Sequence, residues 1–318
     1  MHRADRPALG ILLILLGVTA ISINDMLIKS LSDAYPLHEI VAIRSVLGLI
    51  VTLTLLRWDG GIGALRTRTP GLHLMRGLLI VAANMTFYAA VAVLPLAQAT
   101  ALFFVAPLFI TLLSIPLLGE RVGAIRLAAV ALGFLGVLVM ESPENSGAGA
   151  AILVLPILAA LLYALTQVMT RKLGLTTTAA ALAVYIQATF ILVSLGVYLV
   201  AGDGRFAEDV QSDSLVFLLR AWSVPPSSDW PVLVGLGLLS GLVGYCLAAS
   251  YRLADASVIA PFEYVGLPLA VLWGWLVFGE WPTLSTWAGC ALITAAGLVV
   301  FLRERQPRPG TRARLFRR

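Results

Sequence analysis

The chain has 318 residues, of which 59% are apolar and 12% charged, with a mean hydropathy of +0.94 and a formal net charge of +5. A soluble domain of this length has roughly 45–50% apolar and about 25% charged residues. The composition therefore excludes an ordinary soluble enzyme and indicates an integral membrane protein. The two cysteines, Cys246 and Cys290, lie inside apolar segments and offer no disulfide framework or zinc spacing.

Apolar runs long enough to cross a bilayer as helices, about 17–25 residues each, recur along the whole chain. The third and fourth are separated only by Leu94-Pro95-Leu96, which we interpret as a tight hairpin. A single helix of about 45 residues would be far longer than the bilayer is thick. The ten predicted crossings are Leu9–Ile28, His38–Leu56, Leu74–Leu94, Leu96–Leu118, Ala124–Met140, Ala150–Thr170, Ala179–Ala201, Val232–Tyr251, Ala256–Phe278 and Leu284–Leu302.

The basic residues are distributed unevenly between the connections. With the N-terminus inside, only Lys29, Arg44, Arg205 and Arg220 of the 22 Lys and Arg residues fall on the outer side, which leaves 18 for the inner side. The positive-inside rule therefore predicts a multi-pass protein of a bacterial-type inner membrane with both termini in the cytoplasm. We expect the basic tail to bind anionic membrane lipid and not nucleic acid.

One long connection, Gly202–Pro231, is predicted on the outer side. It contains a short apolar stretch, Leu215–Leu219, followed by Trp222. These residues favour a turn lying at the membrane surface within a solvated loop, and a lid over the substrate site is the alternative.

The two halves of the chain resemble each other. A shift of 143 residues places Lys29 over Lys172, and a shift of 160 places Gly119-Glu120 over Gly279-Glu280. Each half holds five predicted crossings, an odd number, so the second half must be inverted relative to the first. Inverted repeats are a transporter architecture with the substrate site near the midplane. We predict an all-α membrane fold of two inverted five-helix repeats and a tail, at residues 1–145, 146–302 and 303–318.

Ionisable residues inside a crossing cost roughly 2.5–3.5 kcal/mol on insertion scales, so each needs a partner or a watery cavity. Asp25 and Lys29 share one face of the first helix and can pair with each other, while Arg44 lies about six residues into the second helix. We interpret the three as an outer charged cluster that contacts a charged substrate or gates the cavity. A structural ion pair with a snorkelling arginine is the alternative.

Glu263 lies about seven residues into the ninth crossing, just after Pro261, which removes a backbone hydrogen bond and can open the helix. A carboxyl group there suits a cationic substrate group or a coupling proton, and a structural partner for Arg252 is the alternative. Other polar and aromatic residues near the midplane are candidates to line a cavity, although interhelical hydrogen bonding explains them equally well. They are Asn84, Tyr88, Tyr163, Gln167, Gln187, Tyr245, Phe262, Tyr264 and Trp273.

Two patterns predict packing in preference to binding. Gly237 and Gly241 have the spacing that lets two helix backbones approach closely. Glu120 and Glu280 each follow a glycine at a helix end, and we interpret them as ties between helix ends, with gating as the alternative.

No catalytic or cofactor motif accompanies these residues. The three histidines fall at or outside the ends of the crossings, and no Gly-x-x-x-x-Gly-Lys phosphate loop occurs. We therefore expect no metal, no cofactor and no enzymatic activity. Transport would be driven by an ion gradient, by exchange or by the substrate's own gradient, and an intramembrane enzyme is the alternative from another class.

Several of these residues, taken in order, resemble the EamA-type carriers of the drug/metabolite transporter superfamily. Ile23-Asn24-Asp25 and the stretch Met75-Arg76-Gly77-Leu78-Leu79 are most similar to the S-adenosylmethionine and riboflavin uptake carriers, with amino-acid exporters slightly further away. The other matching residues are Lys29, Arg44, Ala99-Thr100, Pro107, Gly119-Glu120-Arg121, Ala260-Pro261-Phe262-Glu263-Tyr264, Gly279-Glu280 and Pro282.

The resemblance implies a secondary transporter of a small hydrophilic metabolite, of the S-adenosylmethionine, riboflavin or amino-acid type, that works by alternating access. Export of amino acids or drugs is the alternative within the family. The resemblance also implies that crossings one to four and six to nine enclose the cavity. The fifth and tenth would be peripheral and available for a homodimer contact.

Overall fold

The computed structural model describes residues 7–58, 60–67, 69–119, 123–140, 150–173, 177–208, 210, 212–253 and 260–304. Its α-helices are α1 Pro7–Leu31, α2 Leu37–Trp58, α3 Pro70–Val91, α4 Leu96–Phe103, α5 Ala106–Leu118, α6 Ala124–Met140, α7 Ala150–Leu173, α8 Ala179–Ala201, α9 Asp213–Leu219, α10 Trp230–Leu253, α11 Gly266–Phe278 and α12 Leu284–Glu304. Two 3₁₀ helices cover Ile62–Leu65 and Ala260–Val265. Glu120 and most of the basic tail lie outside the described residues, as do the side chains of Lys172 and Arg252.

Seven helical spans in the described part of the chain are long and apolar enough to cross a membrane. They are Ala8–Leu31, Leu37–Trp58, Pro70–Val91, Leu96–Leu117, Ile152–Met169, Ala180–Ala201 and Trp230–Leu247. Three shorter apolar helices, Leu127–Met140, Phe262–Phe278 and Leu284–Val299, coincide with the remaining predicted crossings. The prediction of an all-helical membrane protein is confirmed.

The turn between α3 and α4 is the predicted hairpin. α3 ends at Val91 and α4 begins at Leu96, and Pro95 between them has an extended backbone with φ −53° and ψ 138°. Because the proline ring fixes φ and removes the N–H donor, Pro95 begins a new helix and does not continue the previous one. The hairpin interpretation is therefore confirmed.

Two of the predicted crossings are broken at corresponding positions. The fourth divides into α4 and α5 at Phe104–Val105, just before Pro107, and the ninth begins as a 3₁₀ helix that gives way to α11 at Gly266. The sequence predicted an opening after Pro261 but missed the break before Pro107.

The broken segments also end alike. Gly119 closes α5 with φ 69° and Gly279 closes α11 with φ 67°, both in the left-handed region that glycine adopts without steric cost. The two glycines are 160 residues apart, as are Ala106 and Gly266, where the second part of each broken segment starts. The sequence match at this shift therefore extends to backbone geometry.

The core is formed largely by helices of the first half packed against helices of the second. α1 and α2 pack on α10, α2 also packs on α8, and α3 and α5 pack on α7. α6 and α12, the fifth and tenth predicted crossings, pack chiefly against each other. A Cβ atom on Gly136 of α6 would lie 3.0 Å from the Gly289 carbonyl oxygen of α12, so these two backbones are in close contact.

Gly237 and Gly241 lie where α10 packs closely on α2, as their spacing predicted. A Cβ atom on Gly241 would lie 2.6 Å from Val51 Cβ and 3.1 Å from the Gly48 carbonyl oxygen, both on α2. This distance is shorter than real carbon–carbon contacts, so α2 and α10 can approach this closely only because the residue is glycine.

The long connection after α8 differs from the expected solvated loop. Its helix α9 packs on the ends of α2 and α3, with Phe217 only 2% exposed and Ser214 Oγ donating to the Ala89 carbonyl oxygen at 2.6 Å. The Trp222 ring lies 4.5 Å from the Tyr198 ring, centroid to centroid. One face of α9 therefore packs on protein, whereas Leu215 is 46% exposed, and the turn at the membrane surface stays a prediction.

Candidate functional site

Arg44 of α2 is the centre of one buried polar cluster. Its Nη2 donates to Asn84 Oδ1 at 2.5 Å, and its Nη1 lies 3.4 Å from Asn24 Oδ1. The rings of Tyr88 and Phe190 each lie 5.4 Å from the guanidinium carbon. Arg44 is only 5% exposed, so these amides and rings replace the water that a guanidinium group would otherwise bind.

Tyr88 links α3 to α1 in the same cluster. Its hydroxyl donates to Asp25 Oδ1 at 2.7 Å and accepts from Asn24 Nδ2 at 3.2 Å. Asp25 also interacts electrostatically with Arg44. We call Asn24, Asp25, Arg44, Asn84 and Tyr88 the Arg44 cluster. The structure thus keeps Asp25 and Arg44 in one cluster, as predicted, joins Asn84 and Tyr88 to them, and adds Asn24.

Lys29 belongs to a different contact, so its predicted pairing with Asp25 is wrong. Its Nζ lies 2.6 Å from Glu280 Oε1 and donates to the Leu94 carbonyl oxygen at 2.7 Å. The other Glu280 oxygen, Oε2, accepts from the Leu96 N–H at 3.0 Å. We call Lys29, Glu280 and the backbone of Leu94 and Leu96 the Lys29 latch.

The latch explains why Lys29 does not join the Arg44 cluster. Lys29 is in the last turn of α1, where the free carbonyl of the α3–α4 turn and the carboxylate after α11 are both within reach. The interpretation of Glu280 as a tie between helix ends is confirmed.

A second polar cluster surrounds Tyr163. Gln167 Nε2, one turn further along α7, donates to the Tyr163 hydroxyl at 2.8 Å. Glu263 of the 3₁₀ helix and Arg76 of α3 both interact electrostatically with Tyr163. We call these four residues the Glu263 cluster. Arg76 is buried, whereas the other three are partly exposed.

Arg76 is a site residue that the sequence did not point to, although it is one of the residues that resemble the EamA-type carriers. The available signal was an arginine inside the apolar run Leu74–Leu94, which needs a partner just as Arg44 does. The proposed partner of Glu263, Arg252, has its side chain outside the described part of the chain.

A row of aromatic rings connects the two clusters. The ring centroids of Tyr88 and Phe87 are 5.4 Å apart, those of Phe87 and Phe103 are 5.2 Å apart, and those of Phe103 and Tyr163 are 5.4 Å apart. We call these four residues the aromatic row. Phe87 and Phe103 were missed because a phenylalanine in an apolar run carries no signal that separates a cavity wall from ordinary core.

Of the remaining nominated residues, Tyr264 interacts electrostatically with Glu263, whereas Gln187 and Trp273 have contacts outside both clusters. Tyr264 stacks on Phe104 at 5.3 Å and its hydroxyl packs against Gly297 of α12, so it lies in the packing between helices. Tyr245 is half-buried on α10. Interhelical hydrogen bonds account for Gln187, which donates to Ser240 Oγ at 2.8 Å, and for Trp273, which donates to Ser22 Oγ at 3.1 Å. Within the described residues, no group of three or more His, Cys, Asp or Glu side chains is placed to hold a metal ion.

Comparison with known proteins gives consistent matches. Residues 8–142 match the model of the EamA-like transporter family. A riboflavin transporter of Rhizobium johnstonii is 36% identical over 251 residues, which are 78% of this chain and 76% of that protein. An S-adenosylmethionine uptake transporter of Rickettsia prowazekii is 27% identical over 297 residues, which are 93% of this chain and 94% of that protein. One solved crystal structure has a TM-score of 0.60 and 21% identity, covering 92% of this chain and 99% of that chain, which shows the shared fold.

Proposed function

Because this chain belongs to the EamA-like transporter family of the drug/metabolite transporter superfamily, it is a small-metabolite transporter, and we propose that it takes up a riboflavin-type compound. The observation that carries this proposal is the pair of polar clusters at opposite ends of α3. Arg76 and Tyr88 are 12 residues apart, which is about 18 Å along a helix. This separation is comparable to the length of a metabolite the size of riboflavin, which could therefore contact both clusters.

Two features support an inverted repeat of ten crossings. The broken segments α4–α5 and 260–278 have matching restart and end positions at a shift of 160 residues. Discontinuous helices in corresponding positions of two halves are typical of transporters, where they flank the substrate site near the midplane. The Glu263 cluster lies close to both segments, since Glu263 is in one and Phe103, whose ring neighbours that of Tyr163, ends α4 in the other.

The contacts also support alternating access. The Lys29 latch and the α9 segment hold together the ends of α1, α2 and α3 that the positive-inside rule places outside, and the Arg44 cluster beneath them is mostly buried. The Glu263 cluster is partly exposed. We propose that this conformation is closed to the outside, and that opening to the outside requires the latch to separate.

The charges favour a substrate without net charge. Asp25 interacts with Arg44 in one cluster, and in the other Glu263 and Arg76 act on Tyr163 with opposite charges, so each cluster holds one acidic and one basic side chain. Riboflavin is uncharged, whereas S-adenosylmethionine carries a fixed positive charge on sulfur. The presence of both charges in each cluster therefore favours the flavin, and uptake of S-adenosylmethionine is the second candidate.

The cellular setting follows from the charge distribution. We propose a bacterial inner membrane, with both termini in the cytoplasm and the tail from Arg303 onward against anionic lipid. The pairing of α6 with α12 on the periphery leaves their outward faces available for a homodimer contact, and Leu127, Leu135 and Leu138 of α6 are exposed.

Flux measurement tests this proposal directly. Purified protein in proteoliposomes should accumulate radiolabelled riboflavin faster than empty liposomes, and excess unlabelled riboflavin should compete. The double variant Asp25→Asn/Arg44→Met removes both charges of the Arg44 cluster and should reduce the flux to the level of empty liposomes. Flux of S-adenosylmethionine but not of riboflavin would reject the flavin in favour of the second candidate, and flux of neither would reject both.

A further inference from the structure

We infer that the aromatic row is a stacking surface for a flat, uncharged heteroaromatic ring, and that Phe103 is a specificity-determining residue. This inference rests on the proposed function, since it describes how the same site distinguishes its substrate. It adds Phe87 and Phe103, which neither the nominated site nor the charged clusters include.

The position of Phe103 shows that its ring borders internal space. Phe103 ends α4, which packs against α3, α7, α11 and α12. The preceding residues of α4 are buried, whereas Phe103 is partly exposed. Because other helices surround α4, the exposed part of this ring faces the interior of the bundle and not lipid.

Tyr88 and Phe87 are buried, with 3% and 8% of their surface exposed, so the ring surface left for a ligand is that of Phe103 and Tyr163. Neighbouring rings are inclined by 64°, 59° and 57° along the row, so none lies flat on the next. Inclined pairs are a preferred arrangement of aromatic rings, and they do not cover both faces of each ring. Tyr163 is also partly exposed at the other end of the row.

The ends of the row determine which flat ring fits. At one end, the Tyr88 hydroxyl bonds to the amide of Asn24, and the amide of Asn84 belongs to the same cluster. At the other end, the Tyr163 hydroxyl bonds to the amide of Gln167. Amide and hydroxyl groups recognise the carbonyl and N–H edges of a heterocycle by hydrogen bonding. The balanced charges at both ends disfavour a ligand with a net charge. The chemistry therefore fits a heteroaromatic ring with polar edges, such as the tricyclic ring of a flavin.

A matched pair of variants isolates this stacking. Phe103→Leu removes one ring of the row, whereas Phe104→Leu removes the adjacent ring that stacks on Tyr264 outside the row. Phe103→Tyr keeps the ring and serves as the rescue variant. Each protein is purified, and its size-exclusion profile and thermal unfolding are compared with those of the unaltered protein to establish that it is folded.

The readout is riboflavin binding, measured by quenching of flavin fluorescence and by the shift of the unfolding temperature. Phe103→Leu should weaken binding about tenfold, equivalent to about 1.4 kcal/mol at 25 °C, whereas Phe103→Tyr and Phe104→Leu should each stay within about threefold. Lumichrome, the flavin ring without its side chain, should compete for binding, and ribitol should not.

The outcomes separate the two proposals. Riboflavin binding that is unchanged in Phe103→Leu, or equally weakened in Phe104→Leu, would overturn the stacking surface while leaving riboflavin transport intact. Binding of adenosine but not riboflavin, weakened in Phe103→Leu, would support the stacking surface and reject the flavin. Failure of the unaltered protein to bind any flat ring would overturn the inference.

Discussion

Lys29 Nζ and Glu280 Oε1 lie 2.6 Å apart, and this contact joins two residues that are 251 positions apart in the chain. The Lys29 side chain is 9% exposed and the Glu280 side chain 26%. Glu280 follows the left-handed Gly279, which ends α11 and directs the chain back towards α1. The pair therefore ties the two halves together at one end of the bundle, which is the end we propose to open when substrate enters.

Removing one partner of this pair should loosen that end. Breaking a buried ion pair costs about 3–5 kcal/mol, and the partial exposure of Glu280 lowers the expected loss to about 1–3 kcal/mol. We expect Lys29→Met to lower the unfolding temperature and to increase labelling of an introduced cysteine at Ala92 by an impermeant reagent. The control is Arg205→Gln, because Arg205 pairs with Asp203 at 3.8 Å on the surface with both side chains more than half exposed. Equal effects of the two variants would contradict the gating role of Lys29.

The contact between α2 and α10 should not tolerate a side chain at Gly241. A Cβ atom there would meet Val51 Cβ at 2.6 Å, so Gly241→Ala must separate the two helices and should cost about 1–3 kcal/mol. Gly235 is on the same helix but has open space around its Cβ position, so Gly235→Ala is the matched control and should be neutral or slightly stabilising. Thermal unfolding of the two variants in the same detergent compares them. Similar unfolding temperatures would show that α10 does not need this close approach.

The contact of the connection Gly202–Pro231 with the turn between α1 and α2 should weaken in acid. Tyr35 donates to Asp229 Oδ2 at 2.6 Å, and this hydrogen bond, with a second from Ser228, lowers the pKa of Asp229 from its ordinary value of 3.8. A depressed pKa means that the stabilisation is present above pH 3.8 and is lost as the pH falls through the lower folded-state value. The same bond raises the pKa of Tyr35 from 10.0 to about 12, so the stabilisation is also lost as the pH rises through that value.

Tyr35→Phe removes the donor and provides the test. The difference in unfolding temperature between the unaltered protein and this variant should be constant from pH 5 to pH 9 and should shrink below about pH 4. A difference that persists at pH 3 would mean that Tyr35 stabilises the connection through ring packing and not through the Asp229 carboxylate.

The sequence predicted the helical runs and the Arg44 cluster better than it predicted the pairing of charges. Arg44, Asn84 and Tyr88 were identified individually because a polar residue in an apolar run is conspicuous. The partner of Lys29 was not identified, because Glu280 is far away in the chain and only the fold brings the two together. Helical spacing made Asp25 the nearer candidate, but the Asp25 carboxylate instead accepts a hydrogen bond from the Tyr88 hydroxyl of α3.

Some of the site gives no signal in a single sequence. Phe87 and Phe103 are apolar residues among apolar residues, and their alignment between two polar clusters is a property of helix packing. The burial of α9 likewise depends on the ends of α2 and α3, because its own sequence fits a membrane surface as well as a protein surface. The break before Pro107 did leave a signal, since proline lacks the N–H that would continue the preceding helix.

Glu263 should determine the rate of uptake and its dependence on pH. Its carboxylate and the Arg76 guanidinium both act on Tyr163, so Glu263→Gln removes the negative one of two opposite charges in a low-dielectric site. We expect riboflavin uptake to fall at least tenfold, or its dependence on pH to change, while the amount of protein in the membrane stays the same. Glu263→Asp keeps the charge and should retain more activity than Glu263→Gln.

The double variant Glu263→Gln/Arg76→Gln distinguishes charge balance from proton coupling, because it removes both charges and leaves the pair neutral. If charge balance is what the Glu263 cluster provides, the double variant should transport riboflavin better than Glu263→Gln alone. If the carboxylate itself carries a coupling proton, the double variant should be as inactive as the single variant, and the pH profile of the remaining uptake should be flat. Initial rates of uptake between pH 5 and pH 8, normalised to membrane protein, distinguish these results. Unchanged uptake and an unchanged pH profile in Glu263→Gln would remove Glu263 from the transport mechanism.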